Sequence, residues 1–176
     1  SIYFAVSGDH KKLGRVLDCS GSVENFLGVP KLMLVGKNIN SIMPHYFAEK
    51  HDNLIKASYE KQRFSVLDKI RDVPVKDQNG FLVPSLIHIS LNFLPEIGLC
   101  YYGLLKTLKD ERRVILIDQD GQVTNYSENF ALDMGIQENV GGIEFEISHF
   151  CPDMQEAILA LMPARKKKNK TTFFRM

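Results

Sequence analysis

At 176 residues and 20.0 kDa the chain can form one sizeable domain or two small ones. Its 44% hydrophobic and 24% charged residues are the balance of an ordinary globular protein, and a formal net charge of +1 excludes a global field for nucleic acid. Cys19, Cys100 and Cys151 lack metal-ligand spacing and read as reduced intracellular thiols. No apolar run nears the roughly 18 residues of a membrane helix, and no secretory signal is present. The chain opens at Ser1 and reads as a piece of a longer protein.

Two short strands are predicted first, Ile2 to Val6 and Arg15 to Leu17, joined by the polar turn Ser7-Gly8-Asp9-His10. Ser20-Gly21-Ser22 starts a short helix ahead of Val23, Phe26 and Leu27. Pro30 and Gly36 allow only short helical pieces next. Pro44 then opens an amphipathic helix with Phe47, His51, Leu54, Ile55 and Ser58 on one face and Glu49, Lys50, Lys56 and Glu60 on the other.

The periodicity then changes to alternation. Phe64 to Val75 and Phe81 to Phe93 read as paired strands around Asp77-Gln78-Asn79-Gly80, because Asn-Gly accepts the positive φ of a hairpin turn. Phe81, Val83, Ile87, Ile89, Leu91 and Phe93 share the inner face of the return strand. After the turn at Pro95 and Gly98, Leu99 to Leu108 is the last strand, apolar enough for a central position. This order predicts an α+β domain over residues 1–108, a five-stranded antiparallel sheet with helices on one face.

Residues 109–112 read as a linker, and beyond them the opening pattern restarts. Val114 to Ile117 and Gln122 to Asn125 flank Asp118-Gln119-Asp120-Gly121, and a helix-like segment follows over Glu128 to Met134. Gly14, Val16, Ser20 and Gly28 recur as Gly121, Val123, Ser127 and Gly135 at an offset of 107 (121 minus 14). Ile143 to Ile147 and a helix candidate, Pro152 to Met162, complete a partial unit over 113–162, with no second meander after it. Residues 163–176 form a basic tail.

The stretches Leu13 to Ser20, Phe26-Leu27-Gly28-Val29 and Gly36 to Pro44 with His51, together with Asn79-Gly80 and Pro84, resemble a PAS domain over about residues 2–108. The pattern is similar to the PAS module of the tiny macrocysts protein B family of protists, large proteins with membrane-spanning segments. The resemblance implies a PAS fold followed by a partial second PAS-like unit. It also implies a non-enzymatic sensory, regulatory or protein-docking role in a larger, membrane-associated or ciliary protein, on the cytoplasmic side.

His51 is the sharpest residue, because a titratable side chain on an apolar helix face needs a reason. Resemblance to haem-PAS oxygen sensors implies an alternative role as proximal haem ligand, with Arg71 as the distal residue responding to ligand. Against this stands a structural role, with the ring hydrogen-bonded inside the fold; no cofactor is expected on that reading. A flavin-adduct reading lacks its cysteine between Asn38 and Met43, and Cys19 reads as a buried small hydrophobe. Gly141-Gly142 has no following Lys-Ser/Thr, and the carboxylate pairs read as solvated, so no catalytic residues are assigned. His45, His88 and His149 lack zinc spacing.

The expected partner is another protein or another PAS unit, met on the sheet's outer face. Leu82, Leu86, Cys100, Tyr102 and Leu104, out of register with the inner set, are the interface candidates. Arg165, Lys166, Lys167, Lys168 and Lys170 read as a solvated linker or as a contact to an anionic membrane surface, with Phe173 and Phe174 at the start of an apolar stretch.

Overall fold

The computed structural model describes residues 1–61, 65, 67–108, 112–118, 120–136, 145–149, 153 and 172–175. The chain divides into two compact units, Ser1–Gln78 with Val83–Lys109, and Asn79–Leu82 with Asp110–Met176.

The first unit opens with strands β1 (Ile2–Ser7) and β2 (Val16–Cys19), then helices α1 (Val23–Leu27) and α2 (Lys31–Leu34) and a 3-10 turn over Ile39–Ile42. Helix α3 (His45–Glu60) follows Pro44, whose carbonyl accepts from the Phe47 and Ala48 N–H groups. Strands β3 (Ile70–Lys76), β4 (Leu82–Leu94) and β5 (Gly98–Thr107) close the unit. All five strands form one sheet in the order β2-β1-β5-β4-β3. Beyond being five-stranded and antiparallel, as expected, the sheet places β5 centrally, which explains its apolar sequence.

Register fixes the two faces. Ile2 stands opposite Leu105 and Phe4 opposite Gly103, while Leu105 also stands opposite Ile87. These residues point inward because side chains alternate along a strand. The buried core joins Ile2, Phe4, Val6, Val16, Cys19, Val75 and Leu105 of the sheet to Val23, Leu27, Leu34, Ile39 and Ile42 of the helical layer. Among the described side chains of helix α3 none belongs to that buried set. Its expected apolar face is narrower than the periodicity implied, for Leu54 is 63% exposed.

Two boundaries shift. The strand expected from Phe64 starts at Ile70; Ser65, Leu67 and Asp68 lie in turns, while Phe64 and Val66 fall outside the described residues. Asp68 takes a positive φ of 55°, a conformation that interrupts extension and that Asp tolerates better than most. Phe81, expected in the inner set of β4, precedes that strand and packs in the second unit.

The second unit contains β6 (Val114–Ile117), β7 (Gln122–Tyr126), α4 (Glu128–Asp133), β8 (Phe145–Glu146), a 3-10 turn over Ile147–His149 and β9 (Thr172–Arg175). The strands run in the order β8-β7-β6-β9. Strand β9 corrects the reading of 163–176 as a plain tail: Ile115 stands opposite Phe174 and Leu116 opposite Phe173. Phe173 and Phe174 thus belong to a short strand paired with β6. The basic run from Arg165 to Lys170, most of the Pro152 to Met162 helix candidate and Cys151 lie outside the described residues. Phe81, Ile115, Ile117, Val123, Tyr126, Phe130, Ala131 and Ile147 make the core, with Tyr126 edge-on to Phe81 at a centroid distance of 6.0 Å.

Candidate functional site

Two features of the first unit could carry function. One is the sheet face turned away from the helices. The register places Tyr3 opposite Leu104 and Leu104 opposite His88, giving one row across three strands. The next rows are Ala5, Tyr102 and Ser90, then Ser7, Cys100 and Asn92, and Leu86 stands opposite Lys106. Leu104 is 55% exposed and Tyr3 36%, while Leu86 and Tyr102 are half-buried.

Cys100 and Leu82, proposed for the same surface, are both buried. Cys100 lies on this face, but its thiol sits 3.6 Å from the Gly98 carbonyl, and burial pushes its pKa up. Leu82 belongs to the second unit's segment Asn79–Leu82, at the end of β4 where the exposed register does not reach. The open part of the face therefore consists of Tyr3, Leu86, Tyr102 and Leu104. A polar cluster borders it at β2. The Tyr3 hydroxyl donates to Asp18 Oδ2 at 2.6 Å, and Lys31 Nζ lies 2.6 Å from Asp18 Oδ1. Lys31 and then Tyr3 hold the Asp18 carboxyl below its usual range, while Asp18 raises both Tyr3 and Lys31.

The other feature is a polar hub under α3. Asn40 Nδ2 donates to the Ala48 carbonyl at 3.2 Å and to Asp52 Oδ1 at 3.1 Å. Both partners are acceptors, so they orient the amide and leave Asn40 Oδ1 to accept. His51 Nδ1, 2.8 Å from that oxygen, must then carry its proton. Asn38 Nδ2 reaches Asp52 Oδ2 at 3.3 Å, and Asn38 Oδ1 accepts from Asn40 N–H at 2.9 Å. Gly14, at φ 76°, closes the hub, because a Cβ there would come within 2.9 Å of Asn38 Nδ2. Hydrogen bonds thus fasten α3 to the Asn38–Asn40 turn, each contributing about 0.5–1.5 kcal/mol.

Burial lowers the His51 pKa, with the Asp52 charge opposing it. Arg71, expected across from it, is exposed, and its Nη2 donates to the Ser65 carbonyl at 2.7 Å. The two residues therefore have separate partners, and Arg71 lies open to solvent. Among the described residues no three of His, Cys, Asp and Glu gather as metal ligands, and no helix is long and apolar enough to cross a membrane.

Comparison with known proteins adds context. No family model matches the chain. A stretch of 122 residues, 69% of the chain, is 25% identical to part of a probable serine/threonine-protein kinase of Dictyostelium discoideum, and it spans 8% of that protein's length. The PAS domain of a Desulfitobacterium hafniense protein is similar over 61% of this chain and 92% of its own, with TM-score 0.48 and 14% identity. The PAS domain of an HTR-like protein from Haloarcula marismortui covers 61% and 80%, with TM-score 0.47 and 15% identity. Drosophila melanogaster Cycle PAS-B with bound ethylene glycol covers 61% and 100%, with TM-score 0.45 and 7% identity. Within the first unit, all helices lie between β2 and β3 of a β2-β1-β5-β4-β3 antiparallel sheet. It has the PAS fold.

Within this PAS unit, sequence reasoning singled out His51 but not Asn38, Asn40 or Asp52, which give its ring a reason to be there. The available signal was two asparagines flanking Ile39 just before Pro44, since short Asx side chains favour turns and caps. Tyr3, Asp18 and Lys31 carried no such signal, for only the pairing of β1 with β2 and the placing of α2 beside β2 bring them together.

Proposed function

We propose that the PAS unit is a non-catalytic sensory and regulatory module that docks a protein partner on its outer sheet face. The observation that supports this is the row of Tyr3 and Leu104, exposed and opposed across β1 and β5, with Tyr102 and Leu86 half-buried alongside. Such a surface loses water-exposed apolar area on association, at roughly 25 cal/mol per Å². The border of Tyr3, Asp18 and Lys31 supplies orientation, since charged groups at a rim set register more than affinity.

The second unit is read as a partial PAS-like unit. Support comes from its opening hairpin, which bulges between Leu116 and Ile117 as the first bulges between Ala5 and Val6.

The test is association of the whole chain, followed by sedimentation and by capture of a defined candidate partner. Leu104→Asp and Tyr102→Ala should weaken complex formation at least tenfold while circular dichroism stays native. Unchanged association in both variants would remove the docking face. The haem reading has its own test in the absorption spectrum of protein from its native source. A Soret band that shifts in His51→Ala would replace the docking reading with a gas or redox sensor.

A further inference from the structure

Helix α2 is a single turn, and most of the apolar side chains in and just after it face outward. Of Leu32, Met33, Leu34 and Val35, only Leu34 is buried, at 2% exposed, because one helical turn presents one residue of such a run to the core. Leu32 is 90% exposed, Met33 54% and Val35 38%. The backbone beneath them is fixed. The Met33 N–H donates to the Pro30 carbonyl at 2.9 Å, the Val35 N–H to the Lys31 carbonyl at 3.1 Å and the Lys37 N–H to the Leu34 carbonyl at 3.0 Å. The Gly36 N–H donates to the Val16 carbonyl and the Val16 N–H to the Lys37 carbonyl, both at 2.8 Å, which pins the turn to β2.

Cations surround this apolar tip. Lys31 and Lys37 bracket it in sequence. Arg15 stands opposite Asn38, the residue after Lys37, and the Arg15 N–H donates to the Lys12 carbonyl. Lys12, Arg15 and Lys37 are exposed, while Asp18 offsets the charge of Lys31. Size decides what such a surface can hold. A stable protein interface takes roughly 20–30 residues a side, far more than three side chains on one turn offer. A lipid interface asks for less: a few apolar side chains at the acyl boundary, with Lys and Arg among anionic headgroups.

We propose that the corner Lys31–Lys37 of the PAS unit is a lipid-contact site, at which Leu32, Met33 and Val35 enter the headgroup boundary of an anionic bilayer while Lys12, Arg15 and Lys37 meet its negative charge. The contact is attachment to a surface and not a span. It lies wholly within the PAS unit, depends on nothing bound at the outer sheet face, and does not use the basic run from Arg165 to Lys170.

The chain contains no tryptophan, so Leu32→Trp places a single indole at the tip. In the full chain its emission should move to shorter wavelength with vesicles of phosphatidylcholine and phosphatidylserine, and stay in place with phosphatidylcholine alone. In vesicle sedimentation Leu32→Ser should weaken binding about tenfold and Lys37→Gln about fivefold. Both residues are exposed, so circular dichroism should stay native in each variant. Changing Lys166, Lys167 and Lys168 to Gln separates the basic run, and the Leu32→Ser loss should persist in that background. An indole that stays in water with both vesicles, or that responds to both equally, would overturn the site. So would emission that shifts with protein concentration alone, which would make the corner a contact between copies of the chain, or vesicle binding indifferent to Leu32→Ser.

Discussion

Both units open with the same hairpin, and the likeness extends to individual hydrogen bonds. In the PAS unit the Ser20 N–H donates to the Tyr3 carbonyl, while Ser20 Oγ accepts from the Tyr3 N–H. In the second, the Ser127 N–H donates to the Val114 carbonyl and Ser127 Oγ accepts from the Val114 N–H. Ile39 N–H donates to the Gly14 carbonyl, and Ile147 N–H to the Gly121 carbonyl. The difference lies in what fills and fastens this common frame. Cys19 and Val23 in the first core correspond, at an offset of 107 (126 minus 19), to Tyr126 and Phe130 in the second. The first core is completed by Val75 and Leu105 from later strands, whereas large rings complete the second. Turn and cap chemistry therefore sets the backbone, and side-chain volume is what differs between the two cores.

The largest effect expected from this contrast is on the rings. Phe130→Ala should cost about 3–5 kcal/mol, and Val23→Ala at the corresponding place about 2 kcal/mol. Because two units need not unfold as one, hydrogen exchange of each is the proper measurement. Ile115 and Ile117 amides report the first variant, and Phe4 and Val6 amides the second. Equal losses would mean that ring volume does not set the difference between the two cores.

The fastening comes next. Asn38 and Asn40 correspond to Glu146 and Ser148 at an offset of 108 (146 minus 38), where the Ser148 hydroxyl merely donates to the neighbouring Glu146. Asn40→Ala should cost about 1–3 kcal/mol in the PAS unit, since it takes the acceptor from the His51 N–H and one of two amide donors from Asp52. Ser148→Ala should stay within about 0.5 kcal/mol. A smaller effect, and an equal one in both units, is expected at the shared clamp: Ser20→Ala and Ser127→Ala should each cost about 1 kcal/mol. A loss in only one of them would show the two hairpins to be alike in shape but not in energetics.

Most of the first unit was legible in the sequence because its signals are local. Pro44 before an amphipathic run, Asn79-Gly80 between alternating segments and Gly28 after Leu27 each dictate backbone geometry without help from distant residues. The outer-face candidates fared unevenly for the opposite reason. Alternation placed Leu86, Tyr102 and Leu104 correctly on one side of the sheet, but it cannot tell that Cys100 on the same side is buried. Phe81 misled because its phase matches the β4 inner set while its ring packs with Tyr126. Strand β9 was missed because Thr172-Phe173-Phe174-Arg175 is too short for alternation to declare itself.

The smallest effect should come from pH, and it divides the two units by place. Burial lowers the His51 pKa from 6.5, so the unfolded chain binds this proton more readily than the folded one. The stability His51 confers by being neutral is complete above about pH 6.5 and is lost as pH falls from there through the folded value. Between about pH 7 and pH 5, exchange protection of the Phe4, Val6 and Val16 amides should therefore fall more than that of Ile115 and Ile117. His51→Gln should flatten the first response and leave the second untouched. A decline shared equally by both sets, or one that survives the substitution, would move the proton-linked group out of the hub.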